Sequence, residues 1–161
     1  MRSEQETLQA LERHANTVRR LCFIRLKNEA DTEDIFQTVF LRYMTSSICF
    51  ESEEHEKAWF IRVTLNATKD LLKSFFHSQT ISLDAIGEIP ADIPPDYKEL
   101  WEAVFSLPQK NRDVVYLYYF ENLTAPQIGK ILGKNVNTIY TLLSRSKKML
   151  KDKLQGEYDY A

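Results

Sequence analysis

Apolar residues recur at intervals of three and four through the first 75 residues, the spacing of helices with one buried face. One helix is predicted over about residues 4–27, a second from Asp31, and a third over about residues 54–75, after a loop near residues 46–54. No glycine or proline precedes Gly87, so no residue interrupts these helices. The predicted apolar faces consist of Leu8, Leu11, Ala15, Val18 and Cys22; of Ile35, Phe36, Val39, Phe40 and Tyr43; and of Trp59, Phe60, Val63, Ala67 and Leu71.

The composition changes at Ser78. Residues 78–96 contain Gly87, three of the five prolines of the chain and four acidic residues, but no lysine or arginine. Proline favours extended backbone, and like charges repel along a segment. An extended acidic linker is therefore predicted here, between domains at residues 1–77 and 97–156.

Residues 97–156 are also predicted to be helical. One helix opens at Asp96, and another starts at Leu107-Pro108 because proline suits the first helical turn. The apolar run Val114–Phe120 has the propensity of a strand, but helical segments surround it and helix is the favoured assignment. The predicted fold class is all-α, with two small helical domains.

Residues 124–143 carry the most informative pattern, two short helices joined by a turn. Thr124 and Gln127 have the spacing of a capping box. Gly133 is suited to end the first helix in a left-handed conformation, and Asn135 to cap the second. The two helices are predicted to face each other through Ile128, Leu132, Ile139 and Leu142, and Gly129 is predicted to allow their close approach. This is a helix-turn-helix, a motif whose second helix usually enters the DNA major groove.

The charge of the chain is distributed unevenly. The net charge is −2, with −1 over residues 1–77, −4 over residues 78–96 and +3 over residues 97–161. Within residues 130–153, seven basic side chains accompany one acidic one. The positive charge is therefore concentrated on the second helix of the motif and its extension, where DNA phosphates would lie.

Other classes of site have no support in the sequence. Cys22 and Cys49 lie in apolar surroundings, and His14, His55 and His77 are scattered without metal-ligand spacing. No phosphate loop, nucleophile elbow or dinucleotide fingerprint occurs. No catalytic residue, metal or cofactor is therefore predicted. The longest apolar run has seven residues, so no membrane insertion is expected and the protein is predicted to be cytoplasmic.

Three separated blocks resemble the extracytoplasmic-function (ECF) sigma factors of bacterial RNA polymerase, a branch of the sigma-70 family. The blocks are Asp31–Gln37 continuing to Phe40–Arg42, Ala58–Asn66 with Asp70, and Leu107–Arg112 with the helix-turn-helix and Arg145. Their order and the intervening linker match that family. The resemblance implies a non-enzymatic factor that binds core polymerase, recognises a promoter and melts it. The implied partners are core RNA polymerase and promoter DNA, with an anti-sigma factor as a candidate.

The resemblance also implies functional residues. Core polymerase is expected to bind at Glu33, Asp34 and Gln37. The −10 region is expected to contact Trp59, Arg62, Asn66, Lys69 and Lys73, and the loop Ser46–Ser52 lies where these factors capture an unstacked base. The −35 element is expected to contact Asn137, Thr138, Tyr140, Thr141, Ser144, Arg145 and Lys148.

Structural explanations compete for some of these residues. Helix capping and a solvated face account for Glu33 entirely. A place in the first core accounts for Trp59 as well as a DNA contact does. The polar face of the third helix suits single-stranded DNA, although an ordinary wet face has the same composition. Tyr140 and Leu142 stand where many relatives carry basic residues, so DNA affinity without polymerase is expected to be poor.

Two other functions remain open from the sequence alone. A free-standing helix-turn-helix regulator would bind DNA tightly without polymerase, which the acidic net charge disfavours. A polymerase-binding module that does not initiate transcription would need Asp34 and Gln37 but not Arg145.

Overall fold

The structure of the protein is a computed structural model that describes the backbone of residues 1–78 and 95–158, and the side chains of residues 1–74 and 96–154. All regular structure in these ranges is helical, as predicted. The chain divides into two compact units, Met1–Glu88 and Ile89–Ala161. The predicted linker, residues 78–96, lies outside the described residues except at its two ends.

Over its described residues, 1–78, the first unit consists of three packed helices. Helix α1 spans Glu4–Leu26, α2 spans Glu29–Thr45 and α3 spans Glu53–Ser78. Each of the three helices packs against the other two. The buried centre contains Ala10, Val18, Cys22, Ile35, Val39, Phe40, Tyr43, Phe60 and Ala67.

Side-chain caps fix where the first two helices begin. Ser3 caps α1 by accepting a hydrogen bond from the Glu6 amide. Asn28 caps α2 by accepting one from the Asp31 amide at 3.1 Å. Helix α2 therefore begins at Glu29, two residues before the predicted start, because an asparagine provides the cap there.

The buried face of α1 is rotated from the predicted one. Leu8, predicted to lie on the apolar face, is 54% exposed. Thr7, Ala10 and His14 are buried on that helix. The reason is tertiary, since His14 stacks on Phe60 with ring centroids 4.6 Å apart and turns that face inward.

The second unit contains four α-helices among its described residues. A turn of 3₁₀ helix, Pro95–Tyr97, precedes α4, which spans Lys98–Phe105. Helix α5 spans Gln109–Val115 and continues as a π-helical segment, Tyr116–Phe120. Helical conformation is thus confirmed for Val114–Phe120, the run with strand-like propensity, although its last five residues form a π-helix instead of an α-helix. Helix α6 spans Ala125–Leu132 and α7 spans Val136–Tyr158.

Aromatic residues fill much of the second core. Trp101 is completely buried and packs against Phe105, Tyr116 and Phe120, with centroids 4.8 to 6.3 Å apart. Helix α7 packs against α4, α5 and α6. This packing holds α7 in place while one of its faces remains open to solvent.

Candidate nucleic-acid interface

Local hydrogen bonds define the turn between α6 and α7. The Thr124 amide donates to Gln127 Oε1 at 2.8 Å, and the Gln127 amide donates to Thr124 Oγ1 at 3.3 Å, which completes the predicted capping box. Asn135 Oδ1 accepts a hydrogen bond from the Asn137 amide at 2.8 Å and caps α7. Each cap satisfies amides that a helix start leaves without partners.

Two glycines allow this turn for different reasons. Gly133 ends α6 with φ of 66°, the left-handed conformation predicted for it. A Cβ on Gly129 would lie 2.8 Å from the carbonyl oxygen of Lys134. The close approach predicted at Gly129 is thus present, and it is made to the backbone of the turn.

The contact between α6 and α7 is apolar. Ile128 and Ile139 are completely buried, as predicted, whereas Leu132 and Leu142 are half-buried. Ile131 is buried on α6, one position before the predicted Leu132. The helix-turn-helix is therefore held by an apolar seam that leaves the opposite side of α7 free for a ligand.

The outer face of α7 is polar and exposed. Thr141 Oγ1 donates a hydrogen bond to the Asn137 carbonyl at 3.0 Å, so its methyl group and a lone pair remain for a ligand. Amide, hydroxyl and phenol groups of this type contact base edges, and arginine and lysine contact phosphates. All seven residues predicted for the −35 element are exposed on this helix: Asn137, Thr138, Tyr140, Thr141, Ser144, Arg145 and Lys148.

One buried polar residue of α7 was not anticipated. Ser146 is completely buried, and its Oγ accepts a hydrogen bond from Asn111 Nδ2 at 2.9 Å. This bond links α5 to α7 directly behind the exposed Arg145. Ser146 lies seven residues after Ile139, on the buried side of α7, but serine is usually exposed, so its residue type gave no reason to expect a buried position.

A second polar face lies on α3. Arg62, Asn66, Lys69 and Lys73 are all exposed, as their spacing predicts. Trp59 is half-buried and packs edge-on against Tyr43, Phe50 and Phe60. It therefore belongs to the aromatic cluster of the first core, while part of its ring remains accessible beside the polar face.

The loop between α2 and α3 is held by Arg2, a residue that no sequence pattern singles out. The Arg2 amide donates to the Met44 carbonyl at 2.9 Å, and Arg2 Nε donates to the Tyr43 carbonyl at 3.0 Å. Its guanidinium also donates to the Ile48 carbonyl and lies over the rings of Tyr43 and Phe50, at 4.4 and 5.2 Å from their centroids. Arg2 thus occupies the carboxyl end of α2, where a cation is favourable, and fixes the start of the loop.

The acidic face of α2 is divided between two environments. Asp34 and Gln37 are exposed, and Leu41, one turn further on, is 61% exposed. Glu33 instead accepts a hydrogen bond from Arg19 Nε at 3.2 Å. The guanidinium of Arg19 in turn lies 4.1 Å from the centroid of Phe36. The exposed stripe on α2 has the polar and apolar mixture of a protein-docking surface.

A charged cluster that is buried at His14 and Glu56 but exposed at Arg13 joins α1 to α3. Glu56 Oε1 lies 2.7 Å from both Arg13 Nη2 and His14 Nε2. Burial lowers the pKa of His14 by more than its hydrogen bond to Glu56 raises it. Burial opposes ionisation of Glu56, but hydrogen bonds from Arg13 and His14 outweigh this effect and hold its pKa below the ordinary value. The cluster is structural, with a neutral imidazole donating to a carboxylate.

The two cysteines differ in accessibility. Cys22 is buried, which raises its pKa to about 12, whereas Cys49 is exposed on the loop after α2. No group of histidine, cysteine and acidic side chains within the described residues has the arrangement of a metal site. None of the described helices has the length and apolar character needed to span a bilayer.

The comparisons with known families match both units. The description "Sigma-70 region 2" matches residues 10–74, and "Sigma-70, region 4" matches residues 97–150. The second match covers the helix-turn-helix whose geometry is given above. The chain belongs to the sigma-70 family. It is a sigma factor of the ECF type, which directs RNA polymerase in transcription initiation.

Individual relatives agree with this assignment. The chain is 28% identical to RNA polymerase sigma factor SigV of Bacillus subtilis (strain 168) over 146 residues, covering 89% of this chain and 88% of SigV. It is 25% identical to ECF RNA polymerase sigma factor SigW of the same organism, covering 88% and 85% of the two chains. The sigma factor RpoE of Bartonella quintana, solved in complex with the anti-sigma factor NepR, has the same fold, with a TM-score of 0.74 at 19% identity over 94% of this chain and 96% of RpoE.

Proposed function

We propose that this ECF sigma factor performs its role through three separate exposed surfaces, one each on α2, α3 and α7. In this proposal residues 1–77 bind core polymerase and the −10 region, and residues 97–156 bind the −35 element. The observation that carries the proposal is that the side chains selected on α2, α3 and α7 are exposed, apart from the half-buried Glu33 and Trp59, while the apolar residues between them form the cores. Residues 78–96 are proposed to act as an acidic tether between the two DNA-reading parts.

The docking surface for core polymerase is assigned to Asp34 and Gln37 on α2. Both side chains are exposed, and the apolar Leu41 extends the same stripe. A carboxylate and an amide around an exposed leucine suit a basic partner surface with an apolar centre. Glu33 is assigned a smaller share, because its carboxylate is already paired with Arg19.

The −10 surface is assigned to α3 and the loop before it. Arg62, Lys69 and Lys73 supply positive charge for the backbone of a melted strand, and Asn66 supplies hydrogen bonds. The accessible part of Trp59 lies where an unstacked base would gain a stacking partner. Extruding a base costs a few kcal/mol, so the loop and the aromatic edge would have to compensate for that loss.

The −35 surface is assigned to the exposed face of α7. Asn137 and Thr141 are suited to base edges, and Arg145 and Lys148 to phosphates. Neither kind of contact involves bond making or breaking. We accordingly assign the protein no catalytic step and place its action in the cytoplasm, with the polymerase.

An anti-sigma factor is included as a proposed regulatory partner. The support is that the structurally similar RpoE was solved with the anti-sigma factor NepR. Such a partner would compete with polymerase for the stripe on α2 or with DNA for α7.

The test is transcription with purified components. Purified protein and core polymerase are incubated with a library of genomic promoter fragments, and transcripts are sequenced. Promoter-dependent transcripts with a shared −35 and −10 pattern are expected. Tight operator binding without polymerase would instead support a free-standing helix-turn-helix regulator. Polymerase binding without any transcript would support a polymerase-binding module that does not initiate transcription.

A further inference from the structure

An open cleft with an aromatic lining lies at the start of the helix-turn-helix. It has a volume of about 520 Å³. It is lined by Tyr118, Tyr119, Asn122, Leu123, Thr124, Ala125, Pro126 and Tyr140. We refer to this site as the tyrosine cleft. Only Tyr140 among these residues belongs to the −35 surface assigned above.

The three tyrosines are unusually accessible for aromatic residues. Tyr118, Tyr119 and Tyr140 are 39%, 49% and 55% exposed. The rings of Tyr118 and Tyr119 contact each other edge-on, with centroids 4.9 Å apart, so each restricts the other. Within the part of the chain that the structure describes, no residue hydrogen-bonds to any of the three hydroxyls. Three phenol donors therefore remain available to a ligand.

The position of the cleft identifies its occupant. Tyr140 lies three residues after Asn137 and one before Thr141, so the cleft is continuous with the exposed face of α7. Its other wall is formed by Thr124, Ala125 and Pro126, at the start of α6. In helix-turn-helix proteins the second helix enters the major groove while the first crosses the DNA backbone. A DNA strand that crosses α6 beside α7, the second helix of the motif, would lie in this cleft.

The charge of the cleft agrees with a phosphate ligand. No acidic side chain lines it, so nothing in the lining repels an anion. The neighbouring acid, Glu121, is buried and accepts a hydrogen bond from the Tyr116 hydroxyl at 2.8 Å. Tyrosine hydroxyls are established donors to phosphate oxygens. The absence of lysine and arginine from the lining means that contacts there would be neutral hydrogen bonds.

We propose that the tyrosine cleft binds the sugar–phosphate backbone of one promoter strand, with the hydroxyls of Tyr118 and Tyr119 donating to phosphate oxygens. This inference rests on the proposed function of α7 and adds residues outside α7 to the −35 contact. It explains how a motif with an aromatic residue at position 140 holds DNA without a basic residue there.

Neutral and basic hydrogen-bond donors to phosphate differ in how their loss changes the salt dependence of DNA binding. A lysine or arginine that neutralises a phosphate releases counterions, and its loss lowers the slope of log K against log salt by about one. A phenol releases none. Loss of the two hydroxyls should therefore weaken binding equally at every salt concentration, about fivefold for each hydrogen bond of roughly 1 kcal/mol.

The experiment compares Tyr118→Phe/Tyr119→Phe with Arg145→Ala in the reconstituted holoenzyme. Binding to a double-stranded promoter fragment with the −35 element is measured at four salt concentrations. The double phenylalanine variant is expected to bind about 10 to 25-fold more weakly with an unchanged slope. Tyr97→Phe is the control, since Tyr97 is 52% exposed in the same unit but lies outside the cleft.

The outcomes distinguish the inference from the function on which it rests. Weaker binding with Arg145→Ala and normal binding with the double variant would overturn the cleft assignment alone. Normal binding in both would overturn the role of α7 as well. If the double phenylalanine variant binds DNA normally but binds core polymerase more weakly, the cleft docks a protein segment. That result would also overturn the inference.

Discussion

The Asn111 side-chain amide donates a hydrogen bond to Ser146 Oγ across 2.9 Å, and both residues are buried. The two residues belong to α5 and α7, and the helix-turn-helix residues 124–143 lie between them in the sequence. Ser146 follows Arg145 directly, so the bond sets the rotation of α7 at the point where its exposed basic segment begins. A buried polar pair of this kind specifies one arrangement of two helices in a way that apolar packing alone does not.

Ser146→Ala should destabilise the second unit by roughly 1–3 kcal/mol, because the Asn111 amide is left buried without its partner. Chemical denaturation monitored by circular dichroism measures this loss. Asn111→Leu combined with Ser146→Ala removes both polar groups and should recover much of the stability. Ser144→Ala, an exposed change two residues away, is the matched control and should alter stability by less than about 0.5 kcal/mol.

The two glycines of the motif should respond differently to alanine. Gly129→Ala places a Cβ 2.8 Å from the Lys134 carbonyl oxygen, so the turn must move, and we expect a loss of roughly 1–3 kcal/mol together with weaker promoter binding. Gly133→Ala has open space around its Cβ but a φ of 66°, so it should lose about 1–2 kcal/mol through strain alone.

Gly133→Asn is the control for this pair, because asparagine enters the left-handed region more readily than alanine. It should retain more stability than Gly133→Ala. Thermal unfolding of wild type, Gly129→Ala, Gly133→Ala and Gly133→Asn gives their order of stability. A Gly129→Ala protein as stable as wild type, with normal promoter binding, would contradict the close approach at the turn.

Local features of this fold were predictable from the sequence, and long-range ones were not. The capping box of Thr124 and the left-handed Gly133 depend on residues within one turn of each other, so their patterns suffice. The exposure of Leu8 depends instead on His14, which turns inward to meet a glutamate 42 residues away. The role of Arg2 at the carboxyl end of α2 has the same origin, since its acceptors lie more than 40 residues along the chain.

The candidate site residues also divide into those that local helical spacing predicts and those that depend on long-range packing. Helical spacing correctly placed all the selected side chains of α7 in solvent, because exposure on an amphipathic helix follows from its period. The same reasoning gave Glu33 a cap or a solvated face as its structural role but did not give its partner, since only the packing of α1 against α2 shows that Arg19 pairs with the glutamate.

Acidification should weaken the first unit through His14. Burial lowers its pKa, so the folded state binds fewer protons than the unfolded state, whose histidine titrates near 6.5. The stabilisation is complete above that value and is lost as the pH falls through the lower folded pKa, at up to about 1.4 kcal/mol per pH unit. The pKa of Glu56 is also lowered, but from 4.5, so its contribution is lost only in more acidic solution.

Urea denaturation between pH 7.5 and 5.5 measures this effect. Wild type should lose stability over the range, and His14→Gln should show a flatter profile from a lower starting value. His55→Gln is the control, since His55 is exposed on the same unit. Identical slopes for wild type and His14→Gln would show that the imidazole is not the group responsible.

Arg2→Ala should loosen the loop after α2. The variant loses the hydrogen bonds from the guanidinium to the Tyr43 and Ile48 carbonyls and its contact with Phe50. A maleimide dye labels Cys49 alone, because Cys22 is buried and its pKa is raised to about 12. The anisotropy of this dye should fall in Arg2→Ala and remain unchanged in Arg42→Ala, an exposed arginine of α2. Equal anisotropy in both variants would show that Arg2 does not hold the loop.

Asp34→Arg should abolish co-purification with core polymerase. The carboxylate is exposed on the docking stripe, so reversing its charge places a cation against the basic surface that the proposal requires. We expect affinity to fall about 100-fold, which is about 3 kcal/mol. Helicity should not change, because the side chain makes no core contact. Glu54→Arg is the matched control, an exposed acid reversed on α3 of the same unit. If both variants lose binding equally, the effect is one of net charge, and if Asp34→Arg still binds, the polymerase must dock on another face of this domain.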